Sequence, residues 1–161
     1  MTDYYPLSLG KKWLYVAVTF SRPPLIRQIS RKVESLKRKN GETIAVIRES
    51  WGDGKSFTYR VKKNSKGIWA GKDLLFPAVL KAQDQWEDSS RYPYCGVEST
   101  DASVQTPRGK ILHCLKITAT DQNTGSIERY YAQGKGLVYE KYAGEESSWT
   151  MFLVDSDFLN S

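Results

Sequence analysis

The sequence predicts an all-β chain folded as an antiparallel sheet, and three observations predict it. Turn signals of the hairpin kind recur at Asn40-Gly41, Asp53-Gly54 and Thr124-Gly125, with a longer turn at Asn64-Ser65-Lys66-Gly67. The runs between them alternate apolar and polar residues, the two-residue period of a strand with one wet face. The chain is also rich in Trp and Tyr, which favour strands.

From Lys12 to Phe20, Leu14, Val16, Val18 and Phe20 make one apolar face. Trp13, Tyr15, Ala17 and Thr19 make a mixed one, so this strand is expected to be covered on both sides. Residues 25–39 admit two readings. Leu25, Ile29, Val33 and Leu36 fall at helical spacing, with Pro23-Pro24 as an entry. As a strand, the same segment sets Leu25, Ile29 and Val33 on one face with Arg27 and Arg31 interleaved, and leads into the Asn40-Gly41 turn. Thr43 to Ser50 and Phe57 to Lys62 read as strands. A second short helix is a candidate over 73–84, where Leu74, Leu75, Val79 and Leu80 are helically spaced although Pro77 interrupts them.

In the next strand Ile111, His113, Leu115 and Ile117 share one face, and Cys114, Lys116 and Thr118 the other. Ser126 to Ala132, Leu137 to Tyr142 and Ser148 to Val154 complete the strands. Gly134 and Gly136 are expected to permit a positive-φ turn and not to cradle a phosphate, since the P-loop spacing is missing. There is also an internal echo. Pro6 to Trp13 resembles Pro77 to Trp86, each placing a Leu three residues after Pro and a Trp later. Its physical sense is a loop that delivers a Trp to the start of a strand and seals one end of the sheet.

A chain of 161 residues suits one domain spanning 1–161. No run of about 18 apolar residues occurs, which argues against a membrane-spanning helix. No basic and apolar leader precedes Tyr4, so the chain is expected either to be cytoplasmic or to begin after a removed leader. The net charge of +6 hides a split: residues 22–72 hold 14 Lys/Arg against four acids, and residues 73–161 hold eight against 13. That implies pairing across the fold or a polarised surface for an anionic partner.

Three motifs in order resemble a group of uncharacterised bacterial extracytoplasmic domains. They are Tyr4-Tyr5-Pro6-Leu7 with Gly10 and Trp13, the stretch Val104 to Ile117 with Pro107, Gly109 and Cys114, and Tyr130-Tyr131 with Gly134, Gly136, Leu137 and Val138. The resemblance implies a long curved antiparallel sheet, a half-open barrel like that of lipoprotein-carrier proteins, and it favours the strand reading of 25–39. It also implies export, and it supplies no activity. In an oxidising compartment Cys95 and Cys114 become a candidate disulfide, worth about 3 kcal/mol through loop closure.

No constellation reads as catalytic, and no metal or cofactor is implied. His113, the only histidine, has no orienting partner in the sequence and is expected to be structural. The chain is therefore expected not to be an enzyme. The leading expectation is a binding module of the cell envelope. It would hold a lipid-like or peptide ligand on a concave sheet face, with Trp13, Tyr15, Tyr59, Trp69 and His113 as candidate ligand-face residues. One alternative is an assembly component that contacts an envelope protein. Another is nucleic-acid binding through the basic 22–72 region with Trp51, Tyr59 and Trp69 stacking on bases. The sequence disfavours it, since no ribonucleoprotein motif, zinc finger or Gly-x-x-Gly clamp occurs there.

Overall fold

The alternating runs become twelve strands. They are β1 (Lys12–Thr19), β2 (Leu25–Lys39), β3 (Glu42–Trp51), β4 (Ser56–Lys63), β5 (Gly67–Ala70) and β6 (Asp73–Pro77). Then come β7 (Gln85–Trp86), β8 (Tyr94–Thr106), β9 (Gly109–Thr120), β10 (Ser126–Ala132), β11 (Gly136–Ala143) and β12 (Ser148–Ser156). The computed structural model describes residues 3–87, 93–121 and 125–156, and none of these is helical. Thr124 of the Thr124-Gly125 turn lies outside the described residues.

All twelve strands form one sheet in the order β6-β5-β4-β3-β2-β1-β12-β11-β10-β9-β8-β7. Every pairing is antiparallel. The Asn40-Gly41 turn behaves as its residues dictate. Both take positive φ, 54° and 75°, and close a two-residue loop between the paired Lys39 and Glu42.

The sheet is strongly curved. β6 and β10 stand eight strand positions apart, about 38 Å along a flat sheet. Yet the Phe76 and Tyr131 rings meet edge to face at 4.9 Å. The concave side thus folds onto itself around Tyr5, Leu7, Trp13, Tyr15, Val33, Ile47, Val61, Leu115, Ile117 and Leu137, all buried. The edges approach without pairing. The connection 78–84 joins β6 to β7, and the Trp86 indole donates to the Leu74 carbonyl at 3.1 Å, but no ladder links the two strands. The barrel stays open.

β2 is a strand over its whole length, and the structure explains why it looks helical. Leu25, Arg27, Ile29, Arg31 and Val33 share one face by simple alternation, exposed at Leu25 and buried at Ile29 and Val33. A bulge between Val33 and Ser35 then shifts the phase, so that Leu36 follows on the same side. Inward arginines plus one extra residue imitate a helical period. The helix candidate over 73–84 is corrected: Asp73 to Pro77 is strand β6, ended by a proline that cannot continue a ladder, and the rest is turn.

The echo around the two tryptophans is a structural repeat. Gly10 and Gln83 both take positive φ, 82° and 74°. The Gly10 amide donates to Val33 and the Val33 amide to Lys11; likewise Gln83 donates to Val97 and Val97 to Asp84. Val33-Glu34-Ser35 and Val97-Glu98-Ser99 each carry a bulge. In both bulges the glutamate pairs with a cation on the next strand, Glu34 with Arg48 and Glu98 with Lys116. Strands β1–β6 and β7–β12 therefore begin alike.

Candidate functional site

The opening and closing motifs meet in space. Residues 3–9 cross one end of the trough as a strap. Its Asp3 carbonyl accepts from the Gly134 amide at 2.8 Å. On the opposite flank Lys63 Nζ donates to Asp3 Oδ1 at 2.6 Å and to the Tyr5 carbonyl at 3.1 Å. The Trp13 indole donates to the Lys135 carbonyl at 2.6 Å, inside the turn between β10 and β11. Gly136 is required there: its φ is 89°, and a Cβ would sit 3.3 Å from the indole nitrogen. Tyr5 and Leu7 fill the trough beneath the strap.

Past this plug the concave face leaves a cavity of about 210 Å³, lined by Tyr5, Tyr59, Tyr131, Leu75 and two ion pairs. Arg31 of β2 donates through Nε to Glu49 Oε1 of β3 at 2.7 Å, and the Trp51 indole donates to Glu49 Oε2 at 2.9 Å. Arg129 of β10 donates through Nε to Glu140 Oε1 of β11 at 3.0 Å, and the Trp149 indole donates to Glu140 Oε2 at 3.2 Å. The two pairs stand on opposite flanks of the β1–β12 seam, and curvature brings them to one cavity. Glu49 is only 6% exposed, so its carboxylate requires both donors.

The Tyr5, Tyr59 and Tyr131 phenols line this space, and Tyr15 packs beside it against Tyr5 and Arg31. The Tyr15 hydroxyl donates to the Leu137 carbonyl at 2.9 Å, and the Arg31 guanidinium lies 5.1 Å from its ring centroid. Burial pushes the Tyr131 hydroxyl up to about 12 and raises Tyr5, Tyr15 and Tyr59 as well. Burial pulls the Arg31 guanidinium down, but Tyr59, Tyr15, Glu49 and Tyr5 outweigh it and the net shift is upward. The cavity thus sets two guanidinium groups against two carboxylates, among phenols that burial holds protonated.

The structure distributes the candidate ligand-face residues unequally. Trp13, Tyr15 and Tyr59 are concave; Trp13 and Tyr15 are spent on holding the fold, and Tyr59 lines the cavity. Trp69 is corrected to the convex side, where Lys62 stands 4.7 Å from its ring centroid. His113 is corrected too. It is no core histidine but is 81% exposed, with Nδ1 2.6 Å from Asp101 Oδ1. Its φ of 57° breaks the strand alternation, which sends Ile111 to the Cys114 side and leaves Leu115 and Ile117 inward.

The disulfide is corrected on register. Cys95 stands opposite Ala119 and Cys114 opposite Ala102, which separates them by about 17 Å along β9, beyond the reach of a bridge. They join different clusters, Cys95 with Ile127 and Tyr142, Cys114 with Tyr130 and Val138. Burial raises the Cys114 thiol, which keeps it protonated. Among the three aromatics considered for stacking, Tyr59 lies inside, Trp51 stands beside Arg27 at 5.3 Å, and Trp69 lies on the other side of the sheet beside Lys62, so the three do not share one surface. Sequence reasoning missed the ion pairs. The signal for Arg31 was its parity with Ile29 and Val33; Glu49, Arg129 and Glu140 had none without the register.

No family model matches the chain, and none of the curated proteins matches it significantly. Solved structures do share its fold. A protein described as exported, with a YmcC-like fold, from Bacteroides fragilis NCTC 9343 superposes with a TM-score of 0.68 at 13% identity, covering 98% of this chain and 100% of that one. A protein described as a lipoprotein, from Parabacteroides distasonis ATCC 8503, gives 0.62 at 11% identity, covering 97% and 99%. Likeness at these identities is likeness of fold.

Proposed function

We propose that this chain is a non-enzymatic binding module of the bacterial cell envelope, and that its concave cavity takes a compact, hydrogen-bonding ligand of zero net charge. One observation carries the reading: two arginine–glutamate pairs and three tyrosines converge on about 210 Å³. That space equals roughly seven waters at about 30 Å³ each, below the size of ordinary drug-sized pockets. Its two ion pairs and tyrosine hydroxyls suit a small polar ligand better than an acyl chain, which would leave these groups without partners. Because the site's charges cancel, a ligand with net charge would lose hydration without gaining a counter-charge. A neutral or zwitterionic ligand fits, and both arginines and carboxylates offer paired hydrogen bonds. The envelope assignment is supported by what the two solved relatives of the fold are described as being.

The non-enzymatic part rests on position. Each cavity carboxylate is engaged by a guanidinium and an indole, and His113 points to solvent outside the cavity. The test is thermal shift and calorimetry of the full chain against free hexoses, free amino acids and a fatty acid, beside native mass spectrometry of the purified protein. A hexose or amino acid should bind, and Glu140→Gln should weaken it. Fatty acid binding, or a co-purifying phospholipid inside the trough, would overturn the reading.

A further inference from the structure

We propose that the convex face of β2, β3 and β4 docks on an anionic lipid surface. The face is a register-built lattice of cations. Lys32 stands opposite Arg48; Lys37 and Lys62 flank Ile44 from either side; Arg60 stands opposite Val46. Lys39 ends the row, and Lys66 borders the same depression as Lys62 and Trp69. The acids there are Glu34, which is paired with Arg48, and Glu42, which accepts from Asn64 Nδ2 at 3.1 Å. Lys32, Lys37, Lys39, Arg60 and Lys66 are exposed and have no ion-pair partner among the described residues. Neighbours along a strand face stand about 7 Å apart, and alternate strands about 10 Å apart.

This is a two-dimensional array, which suits the headgroup plane of a membrane. A polynucleotide needs a groove that tracks its backbone and open aromatic faces for its bases. Here the surface bulges outward, and its aromatic, Trp69, sits half-buried beside Lys62. Lysine predominates, and lysines act as hydrated point charges without the bidentate geometry that selects one phosphate. The corresponding side of the other half differs in kind: Cys114, Tyr130, Ala132 and Val138 are covered by Val104 and Ile111 of the β8–β9 hairpin. The cationic array is confined to one flank.

The experiment is sedimentation of the full chain with phosphatidylcholine vesicles, with and without phosphatidylglycerol, at low and at physiological salt. Binding should need phosphatidylglycerol and weaken as salt rises. The triple variant Lys32→Gln, Lys37→Gln, Lys39→Gln should bind about a hundredfold more weakly, at about fivefold per cation. Lys81→Gln, Lys110→Gln, Lys141→Gln loses the same charge elsewhere and should bind like the unaltered chain. All six lysines are exposed, so both variants should keep the parent melting temperature. No sedimentation at low salt would overturn the proposal, as would equal losses in both triples. So would tighter binding of an oligothymidylate that the first triple abolishes.

Discussion

The two halves of the sheet start from one plan and finish differently. β1 and β7 each follow a positive-φ residue, each lead to a bulged long strand, and each carry a Trp whose indole donates across a gap. From there the first half pairs β1 fully with β12, while β7 is two residues long and β6 and β7 never pair. The first half leaves lysines on its convex face; the second buries Cys114, Tyr130 and Val138 there. The halves therefore share the devices that start a strand and diverge in what they cover. A repeat in backbone geometry constrains side-chain function very little.

The largest expected effect tests what the halves share inside the trough. Glu49→Ala leaves Arg31 and the Trp51 indole without their carboxylate, and should cost about 3–5 kcal/mol. Glu140→Ala should do the same to Arg129 and Trp149, as urea midpoints will show. A loss in one half alone would mean that a single pair carries the cavity. Next comes alkali. The raised Tyr131 keeps its proton in the folded chain while the unfolded chain loses its own above about pH 10. Stability is therefore whole below pH 10 and falls as pH rises toward 12, by about 1.4 kcal/mol per pH unit for this residue. Urea unfolding at pH 9, 10 and 11 should show that slope, and Tyr131→Phe should reduce it.

A smaller effect separates the two indoles. Trp13→Phe removes a bond from a buried residue and should cost about 1–2 kcal/mol, whereas half-buried Trp86→Phe should cost about half as much. Equal costs would show that the open seam is held as firmly as the closed one. The smallest sharpens the shared entry. Gln83→Gly relieves a side chain held at φ 74° and should raise stability by up to about 0.5 kcal/mol, while Gly10→Ala at φ 82° should lower it by about 1 kcal/mol.

Much of the architecture was legible in the chain. Asn40-Gly41, the alternation in β1 and β4, and the two glycines before Leu137 act locally, so their residues dictate turn and strand without help. The helical look of 25–39 shows where local reading fails: this strand carries inward arginines, and one bulge rephases it. His113 and its neighbours failed for the same reason, because a single left-handed residue reverses which side everything before it faces. The concave side of the sheet was legible in part, since Tyr15 and Tyr59 have its parity and Trp69 does not.

By itself, then, the sequence determined the class of fold, the hairpins at Asn40-Gly41 and Asp53-Gly54 and the divided charge, since these follow from periodicity, turn chemistry and composition. Only the tertiary structure decided that Arg31 meets Glu49 and Arg129 meets Glu140, that both pairs share a cavity, and that Lys32, Lys37 and Lys39 of the same basic stretch lie outside. Those outcomes depend on register and curvature. Both are set by contacts between residues far apart in the chain, such as Trp13 with Lys135 and Phe76 with Tyr131.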